Sequence, residues 1–134
     1  FDHAFSFYAS VGSFSYYYDG GRVEISTNGG DSWAALPVTS GEGYGGTVYN
    51  YAYYGNPLRG QQAFVGSSSA GNSMVESQCS LNDYTGEGFD NVRIRFRYGG
   101  AFPSWGSTWS IDNVGIYGLG FDLKQTSSSV PYTL

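Results

Sequence analysis

Catalytic chemistry has few donors to draw on in this chain, because His3 is its sole histidine and Cys79 its sole cysteine. Zinc sites built from several imidazoles are excluded on that count, and any Ser-His or Cys-His nucleophile would hang on one residue. The sequence has no G-x-S-x-G elbow and no H-E-x-x-H pair. His3 alternates with Phe1, Phe5 and Phe7, so its expected place is a packed, hydrogen-bonded core position. Cys79, with no partner for an internal disulfide, reads as a buried and unreactive thiol. Two carboxylates facing each other about 5 to 9 Å apart would make a glycosidase. No pair of acids stands out in the sequence, so the chain reads as non-catalytic, with a glycoside-active domain as one alternative.

Binding chemistry is better supplied. The 13 Tyr, 9 Phe and 3 Trp include Tyr16, Tyr17, Tyr18, Tyr51, Tyr53, Tyr54, Trp105 and Trp109, whose flat rings suit stacking on the apolar faces of sugars. Tyr17, Tyr51, Tyr53 and Trp105 are the foremost candidates to touch a ligand. Arg93, Arg95 and Arg97 share one parity of a strand and hold half of the basic residues. They are expected to meet acids on neighbouring strands, Glu24 or Glu76, across the ladder.

The elements that must position these residues are short strands. The chain has 134 residues, enough for one domain with a real core. Gly occurs 21 times, only 13% of residues are charged, and aromatics reach 19%, a composition that favours strands and tight turns over helices. The formal charge of −5 argues against a nucleic-acid partner. No apolar run is long enough to span a bilayer, and Phe1 does not open a signal peptide, so the chain is expected to be a processed piece without membrane insertion.

Periodicity places the strands. The first covers Phe1 to Phe7, with a long irregular segment over 9–20. Arg22 to Ser26 then leads into Asn28-Gly29-Gly30 and Trp33, a hairpin signal. Thr47 to Tyr54 alternates as a strand with Tyr49, Tyr51 and Tyr53 on one face and Val48, Asn50, Ala52 and Tyr54 on the other. Gln62 to Val65, Met74 to Leu81 and Val92 to Tyr98 follow. The last strand, Thr108 to Tyr117, switches parity between Ile111 and Val114, which predicts a bulge at Asp112-Asn113. Some seven or eight strands without helix predict an all-β, antiparallel β-sandwich of jelly-roll type over residues 1–118. Residues 119–134 are Ser-rich and read as a linker or extended arm.

Ser26 to Trp33 (STNGGDSW) resembles an Asp-box hairpin with Asn28 at the usual Asp and Ser32 at the usual Thr, a structural device. On a larger scale, Phe-x-His-x-Phe at 1–5, DGGRVEISTNGGDSW at 19–33, QQAFVG at 61–66, LNDYTGEGFDNVRIRFRYG at 81–99 and WSIDNVGIYG at 109–118 resemble one family. It comprises the extracellular MAM-like, choice-of-anchor jelly rolls that accompany immune inhibitor A-like secreted metallopeptidases and bacterial surface proteins. The resemblance implies a non-catalytic module, secreted or held at the cell surface. Members of that family carry an N-terminal edge strand ahead of the segment matching Phe1, so an open sheet edge is expected here, with 121–134 as a candidate donor strand for another copy.

The resemblance also implies a structural calcium, which takes about six to eight oxygen ligands. Asp112 and Asn113 at the expected bulge lead the candidates, followed by Asp19, Glu24 and Asp90. The functional reading is an adhesion or carbohydrate-binding module with a glycan or protein target. The alternative is an extracellular filament subunit that joins copies of itself by strand exchange.

Overall fold

The computed structural model describes residues 1–101 and 106–118. Its strands are β1 (Asp2–Ser6), β2 (Ala9–Ser10), β3 (Tyr16–Tyr17), β4 (Gly20–Ser26), β5 (Ala34–Ala35), β6 (Val38–Gly41), β7 (Gly46–Thr47), β8 (Gln62–Ala63), β9 (Val75–Cys79), β10 (Arg93–Gly99) and β11 (Thr108–Asp112). Among the described residues the only helical pieces are two single 3-10 turns, Ala52–Tyr54 and Asn82–Tyr84. One antiparallel sheet runs β11-β1-β9-β6 and a second runs β10-β4-β5, with β2-β3 and β7-β8 as small ladders beside them. The all-β antiparallel sandwich is therefore present.

The alternation read from Phe1 to Phe7 is the reason β1 forms. Phe5 and Phe7 are buried among Val23, Ile25, Leu36 and Phe64, the centre of the core between the two sheets. His3 is fully buried in the same row, with the Phe64 ring 4.5 Å from its own. Its two nitrogens hold opposite roles. Trp109 Nε1 donates to His3 Nδ1 at 3.2 Å, which leaves Nε2 to carry the proton and donate to Ser77 Oγ at 2.9 Å. Ser77 Oγ in turn donates to the Glu42 carbonyl at 2.6 Å. The expected packed, hydrogen-bonded histidine is what the fold contains.

Close packing of Trp109 depends on Gly21, because a Cβ there would come within 2.6 Å of the indole. Gly41, at φ +80, tolerates no side chain either, since its Cβ would run into the Glu76 carbonyl. Tyr44 stitches the interior at another point. Its hydroxyl accepts from the Val23 amide at 3.1 Å and lies 2.8 Å from the Leu36 carbonyl, and burial pushes its pKa up to about 12.

Strand β4 is buried on both faces. Val23 and Ile25 enter the core, while Arg22, Glu24 and Ser26 lie on the opposite face beneath β10 side chains and the hairpin turn. The expected turn is present: Ser26 Oγ accepts from Gly30 N at 2.8 Å, and Asn28 Oδ1 accepts from Ser32 N at 3.0 Å. Gly29 and Gly30 take φ of 74° and 106°.

Two expectations are corrected. Thr47 to Tyr54 is not one strand: pairing stops after Thr47, apart from an isolated Tyr17–Val48 bridge, and Ala52–Tyr54 winds into a 3-10 turn capped by Gly55 at φ 66°. The left-handed glycine closes that turn, and the extended run that alternation alone suggests has already left its ladder after Thr47. The last strand does not continue through a bulge to Tyr117 either. It ends at Asp112 because Asn113 adopts φ 48°, a left-handed conformation that breaks the ladder.

Burial lowers the His3 pKa from its ordinary 6.5, with the N-terminal ammonium acting in the same sense and Glu42 and Asp2 opposing. As pH falls, the unfolded chain takes up the proton before the folded one does, so stability declines from the unfolded value down to the lowered folded value. Unfolding free energies from urea titrations are expected to fall as pH drops below about 7, by at most about 1.4 kcal/mol per pH unit. The His3→Gln variant, less stable throughout, is expected to lose that slope, and an equally steep slope in the variant would refute this role for His3.

Candidate functional site

The most exposed aromatic cluster is assembled from three segments. Tyr8 follows β1, Tyr16 and Tyr18 flank the end of β3, and Tyr49, Tyr51, Tyr53 and Tyr54 belong to the segment after β7. Backbone bonds hold these segments together: Tyr18 N donates to Tyr8 O at 3.1 Å and Tyr49 N to Tyr17 O at 2.7 Å. The result is a continuous array of seven phenol rings. Tyr8 stacks on Tyr18 at 5.2 Å, and Tyr16 meets Tyr49 at 4.8 Å. Tyr18 meets Tyr54 at 5.0 Å, while Tyr51 and Tyr53 lie 5.7 and 5.5 Å from Tyr54.

The array has a supporting part and a presenting part. Tyr18, Tyr49 and Tyr54 are half-buried, whereas Tyr51 and Tyr53 keep 53% and 79% of their surface exposed. Desolvation raises the Tyr18 pKa, and the neighbouring Tyr54 hydroxyl, hydrogen-bonded to it, raises it further. None of the seven side chains is charged at neutral pH, so the surface offers flat apolar faces rimmed by hydroxyl donors and acceptors.

Of the aromatic candidates, Tyr51 and Tyr53 belong to this surface, while Tyr17 does not. Strand parity turns it the other way, onto Val48, Leu58, Ala63 and Val65. Trp105 lies outside the described residues. Tyr8 and Tyr49 complete the array although sequence reasoning did not single them out as ligand contacts. Tyr49 shared an expected strand face with Tyr51 and Tyr53, but the approach of Tyr8 depends on backbone pairing between distant segments.

The five oxygen-donor candidates do not converge, and among the described residues no three His, Cys, Asp or Glu side chains gather. Asp19 is fully buried and accepts from Ala101 N at 2.7 Å, Ser107 Oγ at 2.6 Å and the Tyr98 hydroxyl at 3.0 Å. Asp90 is exposed in the loop before β10. Asp112 Oδ1 accepts from Asn113 N, and Asn113 Nδ2 donates to Asp2 Oδ2, each at 2.8 Å, at the exposed end of the β1–β11 ladder.

Glu24 is the centre of a cationic network. Arg95 Nη2 approaches its Oε2 at 2.6 Å, Arg22 Nε its Oε1 at 2.9 Å and Arg97 Nη1 the same oxygen at 3.3 Å. The Arg22 Nε–H does not point along its contact, so that pair is an ion pair without a hydrogen bond. Arg22 Nη1 also donates to Gln61 Oε1, and the Arg95 guanidinium lies 4.0 Å from the centre of the Trp33 ring. The expected meeting of the arginine face with Glu24 is observed, whereas Glu76 accepts from Gln78 Nε2 instead.

An open groove of about 1240 Å³ forms a further concavity, lined by Val92, Ile94 and Phe96 with Cys79, Val114 and Ile116. Burial pushes the Cys79 thiol pKa up, which keeps it protonated and unreactive.

Comparison of the chain with protein-family models, with curated proteins and with solved structures found no match. The geometry of these surfaces therefore carries the functional reading.

Replacing Glu24 by Ala leaves three guanidinium groups around an empty site, and unfolding stability is expected to fall by about 3–5 kcal/mol in urea titrations. A loss below about 1 kcal/mol would show that the network is marginal to the fold.

Proposed function

We propose that this chain is a non-catalytic extracellular binding module, a jelly roll of the MAM-like kind, that holds a neutral carbohydrate chain on its tyrosine surface. The array of seven rings carries this reading. Extended apolar patches on a folded surface are unusual unless they meet a ligand. Tyrosines contribute large contact area with few rotatable bonds, and they offer hydroxyls to the edges of sugar rings. Catalysis gains no support from the described residues: the sole imidazole is enclosed between Trp109 and Ser77, and the Glu24 carboxylate is taken up by arginines. The module is placed at the cell surface or beside a secreted hydrolase, where polysaccharide is met.

Titration calorimetry against soluble neutral glucans, xylans and mannans is expected to find a binding partner. Each of Tyr51→Ala and Tyr53→Ala should weaken binding about fivefold, since a stacked ring contributes about 1 kcal/mol. Because these side chains are exposed, stability should stay within about 0.5 kcal/mol of the parent. Binding of matrix proteins at the same tyrosines, without any polysaccharide, would replace the glycan by a protein target. Failure to bind either class would overturn the proposal.

A second reading, a filament subunit assembling by strand exchange, is favoured by the groove. Phe1 and Ser77 exchange two backbone hydrogen bonds, and β9 runs on to Cys79. Alternation of an antiparallel ladder turns the Cys79 amide and carbonyl to the same side as those of Ser77. An extended strand from another copy would pair there and lay alternate side chains over Val92, Ile94 and Phe96. The expected donor, 121–134, lies outside the described residues. Size-exclusion chromatography should then show concentration-dependent oligomers that disappear in Ile116→Asp, a change at a residue 60% exposed. A monomer at every concentration would sink this reading.

A further inference from the structure

The outer face of the β10–β4 ladder concentrates positive charge on an acidic protein. Of six basic residues in the chain, Arg22, Arg93, Arg95 and Arg97 stand on this one ladder, where Arg95 is paired with Glu24, Arg97 with Arg22 and Arg93 with Ser26. Four guanidinium charges face one carboxylate, a local surplus of three, although the whole chain carries −5.

One buried cation would suffice to neutralise Glu24, and Arg22 is buried beside it. Arg95 and Arg97 are nevertheless drawn to the same carboxylate while keeping 36% and 34% of their side chains exposed. Arg93 is exposed and belongs to no ion pair among the described residues. Glu24 thus engages Nε and Nη2 of Arg95 and Nη1 of Arg97, which leaves each partly exposed guanidinium with further N–H donors of the kind that match carboxylate or sulfate oxygens.

We propose that this arginine face is a second binding surface, separate from the tyrosines, for an anionic polysaccharide. Alternate residues along a strand lie about 7 Å apart, so Arg93, Arg95 and Arg97 form a straight row suited to an extended chain with repeated charges. The half-buried Trp33 ring, with the Arg95 guanidinium stacked on one face, adds an aromatic surface beside the row that can meet part of a sugar ring. That aromatic element favours a charged sugar over an acidic peptide.

Affinity electrophoresis in low-salt buffer tests the surface with polygalacturonate for carboxylates, dextran sulfate for sulfates, neutral dextran, and polyglutamate. One or both acidic polysaccharides are expected to retard the protein, and the retardation should weaken as salt rises. Arg93→Gln and Arg97→Gln should each reduce the apparent affinity about tenfold. Tyr51→Ala and Tyr53→Ala should leave it unchanged, which separates this surface from the neutral-glycan surface. Arg93→Gln disturbs no ion pair, so its effect is readable even where Arg97→Gln lowers stability. Absence of retardation at the lowest salt, or retardation indifferent to Arg93→Gln, would overturn the proposal. Equal retardation by polyglutamate would overturn the polysaccharide in favour of an acidic protein.

Discussion

A chain of hydrogen bonds with a single direction crosses the buried face of the first sheet: Trp109 to His3, His3 to Ser77, Ser77 to the Glu42 carbonyl. It links β11, β1, β9 and the turn after β6. Each donor finds one acceptor, so the polar atoms enter an aromatic interior without an unmet bond. Neutral imidazole accepts on one side and donates on the other, and the Ser77 hydroxyl repeats that role one step further along. Around it Phe1, Phe5, Phe64 and Trp109 pack at ring separations of 4.5 to 6.4 Å, so the position of the histidine also sets the positions of the rings.

The second sheet solves a different problem. Its central strand β4 is covered on both faces, yet only one face meets the apolar core. The other buries a carboxylate, which is tolerable only because three guanidinium groups surround it, Arg95 among them stacked on the Trp33 ring. Asp19 performs a related task at the opposite end of β10, where its oxygens gather Tyr98, Ala101 and Ser107. Acids that suggest metal ligands in isolation thus tie strand ends and strand faces to one another.

These frameworks leave two chemically distinct surfaces outside the core. The tyrosine array is uncharged and built from loops that short ladders hold in place, whereas the arginine row is charged and mounted on a regular strand. Their difference in chemistry lets salt and substitution tell apart the ligands proposed for them.

Alternation along Phe1 to Phe7, Arg22 to Ser26 and Val92 to Tyr98, with Asn28-Gly29-Gly30 between strands, determined the all-β class, the principal strands and the hairpin. These features are local: period-two burial and positive φ at glycine depend on neighbouring residues alone. Tertiary structure decided where the strands end and which side chains meet. A left-handed Asn113 ended β11, and a 3-10 turn at Ala52–Tyr54 folded Tyr54 back among the other phenols. Parity within Tyr16-Tyr17-Tyr18 sent the middle ring inward, and the direction of that parity was set only by the core it packs on. Glu24, Asp19 and Asp112 are equivalent acids in a linear reading. Glu24 meets arginines of β10, and Asp19 gathers Tyr98, Ala101 and Ser107, through long-range contacts that spacing along the chain does not encode, whereas Asp112 accepts from its neighbour Asn113.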